Sequence, residues 1–182
     1  DHTSQAWGIY GGVLQDYVKN DGIKRLEKSG VVLENLFCTN SICVPSRASI
    51  LTGQYSHING VYNLPDALDT DSLNVSKILQ KNGYQTAMVG KIHLRGLPQG
   101  FDYSAVLPGQ GHYDNPHFII NGVKERIEGY VTSVTTKLSL DWLKNKRDKS
   151  KPFLLLYHQK APHRNWKPEK KYLTLLRIHL ES

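Results

Sequence analysis

The sequence is poor in cysteine and has no long apolar run. Two cysteines, Cys38 and Cys43, among 182 residues are too few for a disulfide framework, although one bond between them is conceivable. No stretch approaches the roughly 20 apolar residues that a membrane-spanning helix needs. We recognise no signal peptide, and because the chain starts abruptly at Asp1 we expect a processed or trimmed N-terminus. These absences leave the cellular compartment open.

Acidic residues are scarce relative to basic ones. The chain has 16 Asp and Glu against 23 Lys and Arg, so its net charge is +7. Such an excess suits an anionic partner, for example a sulfated glycan or a nucleic acid. The basic residues concentrate at 144–151 and 167–171, where no nucleic-acid-binding motif accompanies them. We therefore interpret them as solvated and expect no nucleic-acid partner. The composition, 39% hydrophobic and 21% charged, is typical of one folded domain.

The most informative stretch reads Cys43-Val44-Pro45-Ser46-Arg47 and then Leu51-Thr52-Gly53. Proline is favoured in the first turn of a helix, and glycine suits the left-handed position that ends one. The pattern predicts a helix from Ser46 to Thr52 with Cys43 at its mouth. A helix N-terminus offers unpaired N–H groups and partial positive charge. With Arg47 beside it, this end predicts a site for a tetrahedral oxyanion such as sulfate or phosphate.

A second group of polar residues follows a predicted buried strand at Tyr84–Val89. A helix capped by Ser72 precedes this strand, as in a parallel α/β sheet. Sites in such sheets collect at the carboxyl ends of strands, and here the chain continues with Lys91 and His93. Since residues two apart in extended backbone face the same way, we expect these two side chains to point together into a site.

A third group follows a predicted buried parallel strand at Phe153–Tyr157. The chain continues as His158-Gln159-Lys160-Ala161-Pro162-His163-Arg164-Asn165-Trp166. Cations and imidazoles again stand at a strand end, so we expect the three groups to converge at one sheet edge. Further predictions are a weak helix at 15–29, a strand at Val31–Phe37, a long loop at 96–117 with His112 and His117, a hairpin arm at Ile119–Val123, a helix at 129–146 and a terminal helix from Tyr172.

These motifs resemble those of the type I sulfatases, members of the alkaline phosphatase superfamily. The Cys43 stretch matches the family's Cys-x-Pro-Ser-Arg signature, and residues 83–86 with 90–93 match its second signature. The resemblance implies an α/β fold, a mostly parallel sheet flanked by helices, and residues 1–182 would form the N-terminal part of the catalytic domain. The family's first strand and first aspartate are missing before Asp1. The family also has a Pro-His pair after a later strand, and Pro162-His163 matches it.

The resemblance also implies a chemistry. Cys43 would be converted to Cα-formylglycine by a formylglycine-generating enzyme, and its hydrated form would supply an oxygen nucleophile. A calcium ion (or magnesium) would be held by Asp1 and residue 43. Arg47 and Lys91 would neutralise developing charge.

Two histidines would handle protons. His163 would donate one to the departing sugar oxygen, and His93 would act as base. Substrate contacts would come from Lys160, Arg164 and Trp166, and the substrate would be a sulfated glycan of the N-acetylglucosamine or heparan type. By resemblance the protein would be periplasmic, secreted or lysosomal.

Two alternatives stay open. One is a phosphatase or phosphodiesterase on the same fold, with Cys43 unmodified. The other is a non-catalytic fragment that binds glycans, favoured by the basic balance and by the small number of acidic metal ligands. Calcium requires six or more oxygen ligands, and Asp1 is the one recognisable acidic ligand. We therefore expect these 182 residues alone to bind calcium weakly or not at all and to be inactive.

Overall fold

The computed structural model describes residues 4–18, 20–97 and 99–173. The chain forms two compact units: Asp1–Cys38 with Pro162–Asn165, and Thr39–Ala161 with Trp166–Ser182. Asp1 and nearly all of the predicted terminal helix lie outside the described residues. In the described ranges no helix is both long enough and apolar enough to cross a bilayer.

The first unit is built from short helical segments. It contains 3-10 turns at Ser4–Ala6 and Gly8–Tyr10 and the helix α1 (Asp21–Ser29), which ends at Gly30. The predicted helix at 15–29 is therefore confirmed over its second half. The predicted strand at 31–37 is wrong, and side chains there are largely exposed, up to 86% for Phe37. Strand propensity reflects packing on a pleated, half-buried surface, and no strand is described in this unit for the segment to join.

The second unit contains a five-stranded mixed sheet. Its strands are β1 (Gln85–Lys91), β2 (Tyr103–Leu107), β3 (His117–Ile120), β4 (Val123–Arg126) and β5 (Phe153–His158). The order is β4-β3-β2-β1-β5, so β1 is flanked by β2 and β5. Both neighbours run parallel to β1, whereas β3 is antiparallel to β2 and β4. The expected α/β sheet is confirmed, with an antiparallel extension at one side.

The second unit also contains helices and helical turns. They are α2 (Cys43–Thr52), α3 (Ser56–Asn59), α4 (Val75–Lys81), α5 (Val131–Asp141), a π-helical turn at Trp142–Lys146 and a 3-10 turn at Lys170–Tyr172. Ala87 and Val89 of β1 pack with Val134 and Trp142 of α5 and the π-helical turn. Met88, between them in sequence, belongs to a separate cluster. The period of two along β1 therefore distributes its side chains between two cores.

Several local predictions were corrected by this fold. The predicted loop at 96–117 contains β2, a fully buried strand. This five-residue apolar segment was missed in the sequence because glycine and proline are frequent on either side of it. The strand β5 is partly exposed rather than buried, since it pairs with β1 alone among the described strands. A hairpin is present, but the predicted arm at 119–123 is wrong in its bounds, because it spans the end of β3, the turn and the start of β4. Asn121 and Gly122 form the turn with φ of 47° and 89°, as a two-residue type I′ turn requires.

The helix before β1 begins later than predicted. Its N-cap is Asn74, whose side chain accepts a hydrogen bond from the backbone N–H of Lys77. Ser72 was the predicted cap and lies outside the helix. Asn74 is also 1% exposed and donates to the carbonyl oxygen of Gln99 at 3.1 Å. Asparagine therefore links the start of α4 to the loop before β2.

Candidate active site

The helix α2 places Cys43 in its first turn. It begins at Cys43 rather than at Ser46, and Gly53 ends it with φ 68° and a hydrogen bond to Ser49. Val44 and Ala48 anchor its apolar face in a core cluster. Cys43 is half-buried and its thiol is free. The predicted position of this residue at the helix N-terminus is confirmed.

Arg47 ties α2 to the carboxyl end of β1. Its Nη1 donates to the backbone carbonyl oxygen of Lys91 at 2.9 Å. Burial lowers the pKa of Arg47, and the negative charge of a Cys43 thiolate acts in the opposite direction. Cys43 and Arg47 are four residues apart in α2, so their side chains lie on the same face of the helix.

Lys91 is a buried cation at the end of the central parallel strand. Its side chain is 2% exposed. The pKa of Lys91 is lowered from 10.5 to about 8, mainly by burial and also by the charges of Arg47 and Lys160, whereas the charge of Cys43 opposes this shift. Cys43, Arg47 and Lys91 therefore come together within the second unit, as the sequence predicted.

His158 completes this arrangement and was not singled out by the sequence. Its Nδ1 lies 3.2 Å from the carbonyl oxygen of Lys91. The pKa of His158 is lowered, first by burial and then by the charge of Arg47, while the hydrogen bond to Lys91 opposes both. The one sequence feature that could have indicated His158 was its position directly after a predicted apolar strand. The parallel register that pairs it with Gly90 could not be predicted from the sequence.

Lys160, a predicted substrate contact, is buried although it lies outside the helices and strands. It is 5% exposed, and its Nζ lies 4.6 Å from the centre of the Tyr113 ring. Burial lowers the pKa of Lys160. A cation over an aromatic face is attracted by the ring, so Tyr113 helps to hold Lys160 in place.

His93 is positioned differently from the expectation. The strand β1 ends at Lys91, and His93 has φ 47°, so the chain turns instead of continuing extended. The inference that Lys91 and His93 face the same way because of extended backbone was therefore wrong. Ile92 is buried beside Met88, and this packing fixes the point where the chain leaves the sheet.

The remaining predicted site residues lie in the first unit, at an exposed position of the second unit, or outside the described residues. His163 and Arg164 belong to the first unit, where His163 is buried and Arg164 is exposed. Trp166 belongs to the second unit, is 73% exposed and has φ 44°. Asp1, the predicted metal ligand, lies outside the described residues. The structure thus leaves their predicted roles as predictions.

The described residues do not fit a calcium site. Across residues 4–173, apart from 19 and 98, no group of three or more His, Cys, Asp or Glu side chains is placed to hold a metal ion. Calcium takes six to eight oxygen ligands, many from carboxylates. The described charged neighbours of Cys43 are instead the cations Arg47 and Lys91, and Lys160 acts on Lys91. Such a set favours an anion over a cation.

The geometry supports oxyanion chemistry at residue 43. Cys43, the candidate nucleophile, stands at a helix N-terminus, where free N–H groups attract anions. In the described part of the chain, no carboxylate forms an ion pair with Arg47 or Lys91. Buried cations without carboxylate partners are costly, and an anionic substrate group would offset that cost. Negative charge that develops in a reaction at this site would lie close to the positive charges of Arg47 and Lys91.

Comparisons with known proteins agree with this geometry. A sulfatase family model matches residues 1–175. The chain is 43% identical to an N-acetylglucosamine-6-O-sulfatase of Bacteroides thetaiotaomicron, over 95% of this chain and 31% of that protein. It is 32% identical to an N-acetylglucosamine-6-sulfatase of Capra hircus, over 79% of this chain and 30% of that protein. A structure solved in complex with its substrate D-glucosamine-2-N,6-O-disulfate matches with a TM-score of 0.92 at 42% identity, over 98% of this chain and 36% of that one.

The fold is that of an α/β protein whose candidate site lies at the carboxyl end of a parallel strand. The chain belongs to the sulfatase family, and the expected sulfatase-like fold is confirmed. It spans about a third of the length of these relatives.

Proposed function

We propose that the protein carrying this chain is a sulfuric ester hydrolase that removes sulfate from a sulfated glycan of the N-acetylglucosamine or heparan type. The observation that carries the proposal is the convergence of Cys43, Arg47 and Lys91 in one unit. The substrate class rests on the relatives named N-acetylglucosamine sulfatases and on the glucosamine disulfate bound by the similar structure.

Residue 43 is the proposed nucleophile position. Its conversion to Cα-formylglycine by a generating enzyme would supply, after hydration, a hydroxyl that attacks sulfur. The half-buried position at the start of α2 leaves that group at the helix N-terminus, where the partial positive charge favours an ionised nucleophile.

Arg47 and Lys91 bind the sulfate oxygens in this proposal. Arginine offers a planar fork of donors that suits an oxyanion, and lysine adds a compact positive charge. One Arg47 donor is already fixed on the carbonyl of Lys91, so the guanidinium is oriented before substrate arrives. Groups held in place in this way stabilise transition-state charge without reorganising.

Proton transfer is assigned to two histidines on the strength of the resemblance. His163 donates a proton to the sugar oxygen as its bond to sulfur breaks. His93 then acts as the base that removes the proton of the remaining hydroxyl at residue 43, so that sulfate leaves and the aldehyde forms again. Lys160, Arg164 and Trp166 are the proposed substrate contacts. Calcium, with Asp1 and residue 43 as ligands, is part of the same proposal, although among the described residues no group of three or more His, Cys, Asp or Glu is placed to hold it.

Mass spectrometry and assays with matched esters test the proposal. The full-length protein would be produced with and without a formylglycine-generating enzyme, and the peptide containing Cys43 would be weighed. Formylglycine is about 18 Da lighter than cysteine, whereas ordinary thiol oxidation adds oxygen and therefore mass. We expect the lighter peptide to accompany release of sulfate from 6-sulfated N-acetylglucosamine.

The alternatives predict different results. Hydrolysis of phosphate esters but not of sulfate esters by protein with unmodified Cys43 would favour a phosphatase or phosphodiesterase. Binding of sulfated sugars that survives both Cys43→Ala and a chelator, without turnover in any preparation, would favour a glycan-binding protein. Either outcome would contradict the proposed hydrolase.

A further inference from the structure

Two side chains converge on the backbone carbonyl oxygen of Lys91. Arg47 Nη1 donates to it at 2.9 Å from α2, and His158 Nδ1 lies 3.2 Å from it at the end of β5. These two residues come from different elements and are far apart in sequence. The carbonyl belongs to the last residue of β1, at the point where the chain turns towards His93.

Close approach of β1 and β5 is what allows His158 to reach this carbonyl. Gly90 pairs with His158 in the parallel register. Gly90 has φ 105°, and a Cβ placed there would overlap the carbonyl oxygen of His158. Because residue 90 has no side chain, β1 and β5 can approach closely. At this spacing the imidazole of His158 reaches the carbonyl oxygen of Lys91, the residue after Gly90.

The hydrogen bond fixes the tautomer of His158. A carbonyl oxygen accepts and cannot donate, so Nδ1 must carry the proton and Nε2 is the unprotonated nitrogen of the neutral ring. Burial and the neighbouring Arg47 charge lower the pKa of His158, so the neutral ring prevails near pH 7. One N–H donor is all that the contact requires.

We propose that His158 is a positioning residue that holds the Lys91 peptide together with Arg47. Through that peptide it fixes the Lys91 ammonium and the turn at His93 relative to Cys43. This inference rests on the proposed function, because its kinetic consequence is the correct placement of cations around a sulfate group. His158 itself need not contact the substrate.

Asparagine and glutamine offer a matched pair of variants. The side-chain nitrogen of asparagine can occupy about the place of Nδ1, whereas that of glutamine reaches about the place of Nε2. His158→Asn therefore preserves the donor to Lys91, and His158→Gln removes it while remaining polar and similar in size. His158→Ala removes both the donor and the packing.

Steady-state kinetics of the full-length protein on 6-sulfated N-acetylglucosamine test the proposal. We expect His158→Gln and His158→Ala to lower kcat about 10-fold to 100-fold with a smaller change in KM, because misplaced groups fail mainly in the transition state. His158→Asn should stay within about 3-fold of the natural protein. Thermal unfolding should show the Asn and Gln variants within about 3 °C of each other. Equal losses in the Asn and Gln variants, or full activity in the Gln variant, would overturn the positioning role.

Nitrogen-15 NMR of the imidazole gives a readout independent of turnover. We expect the Nδ1–H tautomer for His158 in the natural protein, and a shift of the Lys91 carbonyl-carbon signal in His158→Gln that is smaller in His158→Asn. An Nε2–H tautomer would contradict the inference even in an active enzyme. If the protein hydrolyses no sulfate ester, the proposed function fails, while the tautomer and the Lys91 signal still decide whether His158 holds this peptide.

Discussion

Arg47 and Lys91 are joined by a hydrogen bond of 2.9 Å between residues 44 positions apart. The donor is the guanidinium of α2 and the acceptor is the last backbone carbonyl of β1. A helix carrying the candidate nucleophile is thereby fixed to the strand carrying the second cation. Arg47 therefore has two roles: its hydrogen bond fixes the geometry of the site, and its guanidinium supplies positive charge. A substitution of Arg47 should affect geometry and charge together.

Arg47→Lys separates these two effects. It keeps the positive charge but removes the planar fork, and an ammonium cannot both reach the Lys91 carbonyl and bind a sulfate in the same way. We expect kcat/KM on a sulfated N-acetylglucosamine to fall at least about 100-fold, a loss typical of a missing transition-state donor. Arg95→Lys, at an exposed position, is the matched control and should have little effect. Activity near that of the natural protein in Arg47→Lys would remove Arg47 from the proposed machinery.

Lys91 should make stability depend on pH in the alkaline range. Its pKa is about 8 in the folded protein against an ordinary value of 10.5. Between these values the unfolded chain binds more protons at this residue than the folded chain does, so the free energy of unfolding should rise with pH. Below this window both states are protonated and the residue adds no slope.

Urea unfolding measured from about pH 7 to about pH 10.5 tests this dependence. In Lys91→Met the rise contributed by this residue should disappear, leaving the slope from the other groups. Lys144→Met changes an exposed lysine and should retain the slope of the natural protein. Identical slopes for all three proteins would show that burial does not shift the titration of Lys91.

How far the sequence predicted the site is clear from these residues. The helix at Cys43 could be predicted because proline and glycine limit backbone conformation locally, and Lys91 because it follows an apolar strand. The role of His158 could not, since it depends on the strand register and on the missing side chain of Gly90. The turn at His93 was missed because sequence spacing does not say where a strand ends.

The same contrast holds for the fold. The helix at 129–146 was predicted from its apolar stripe, and Val134, Leu138, Trp142 and Leu143 all lie in or against the main core. The strand β2 was missed because its surroundings are rich in glycine and proline, although it is fully buried. Partners distant in sequence determine whether a short apolar segment becomes a strand.

Gly90→Ala should destabilise the protein strongly. The added Cβ would overlap the carbonyl oxygen of His158, and φ is 105°, so both steric overlap and backbone strain oppose it. We expect a loss of about 3 kcal/mol or more in the free energy of unfolding. Gly122→Ala has a comparable φ of 89° but meets no atom within 4 Å, and should cost only about 1 kcal/mol from strain. Equal costs for the two variants in urea unfolding would argue against the close approach of β1 and β5.

Asn74→Ala should be far more damaging than Ser72→Ala. Asn74 is buried, caps α4 through Lys77 and bonds to Ser76 and Gln99. Losing the cap and leaving buried partners unsatisfied should cost about 2 kcal/mol to 4 kcal/mol. Ser72→Ala, at the cap predicted from sequence, should change the free energy of unfolding by less than about 0.5 kcal/mol. Chemical denaturation of both variants decides the point, and the reverse ranking would restore Ser72 as the cap.

Lys160→Met should alter the pH dependence of substrate binding. Methionine can keep the packing against Tyr113 while removing the positive charge. Because the charge of Lys160 lowers the pKa of Lys91, its removal should move the alkaline loss of sulfate binding to higher pH. In the natural protein this loss should begin near pH 8, where Lys91 deprotonates.

KM measured against pH for a sulfated N-acetylglucosamine reveals this shift. At neutral pH the variant should also bind more weakly, since one attractive charge is gone. Lys144→Met is again the exposed control and should reproduce the natural profile, because salt screens distant surface charges. An unchanged alkaline limb in Lys160→Met, or the same shift in the control, would show that Lys160 does not act on Lys91 and would leave its burial over Tyr113 as a packing feature.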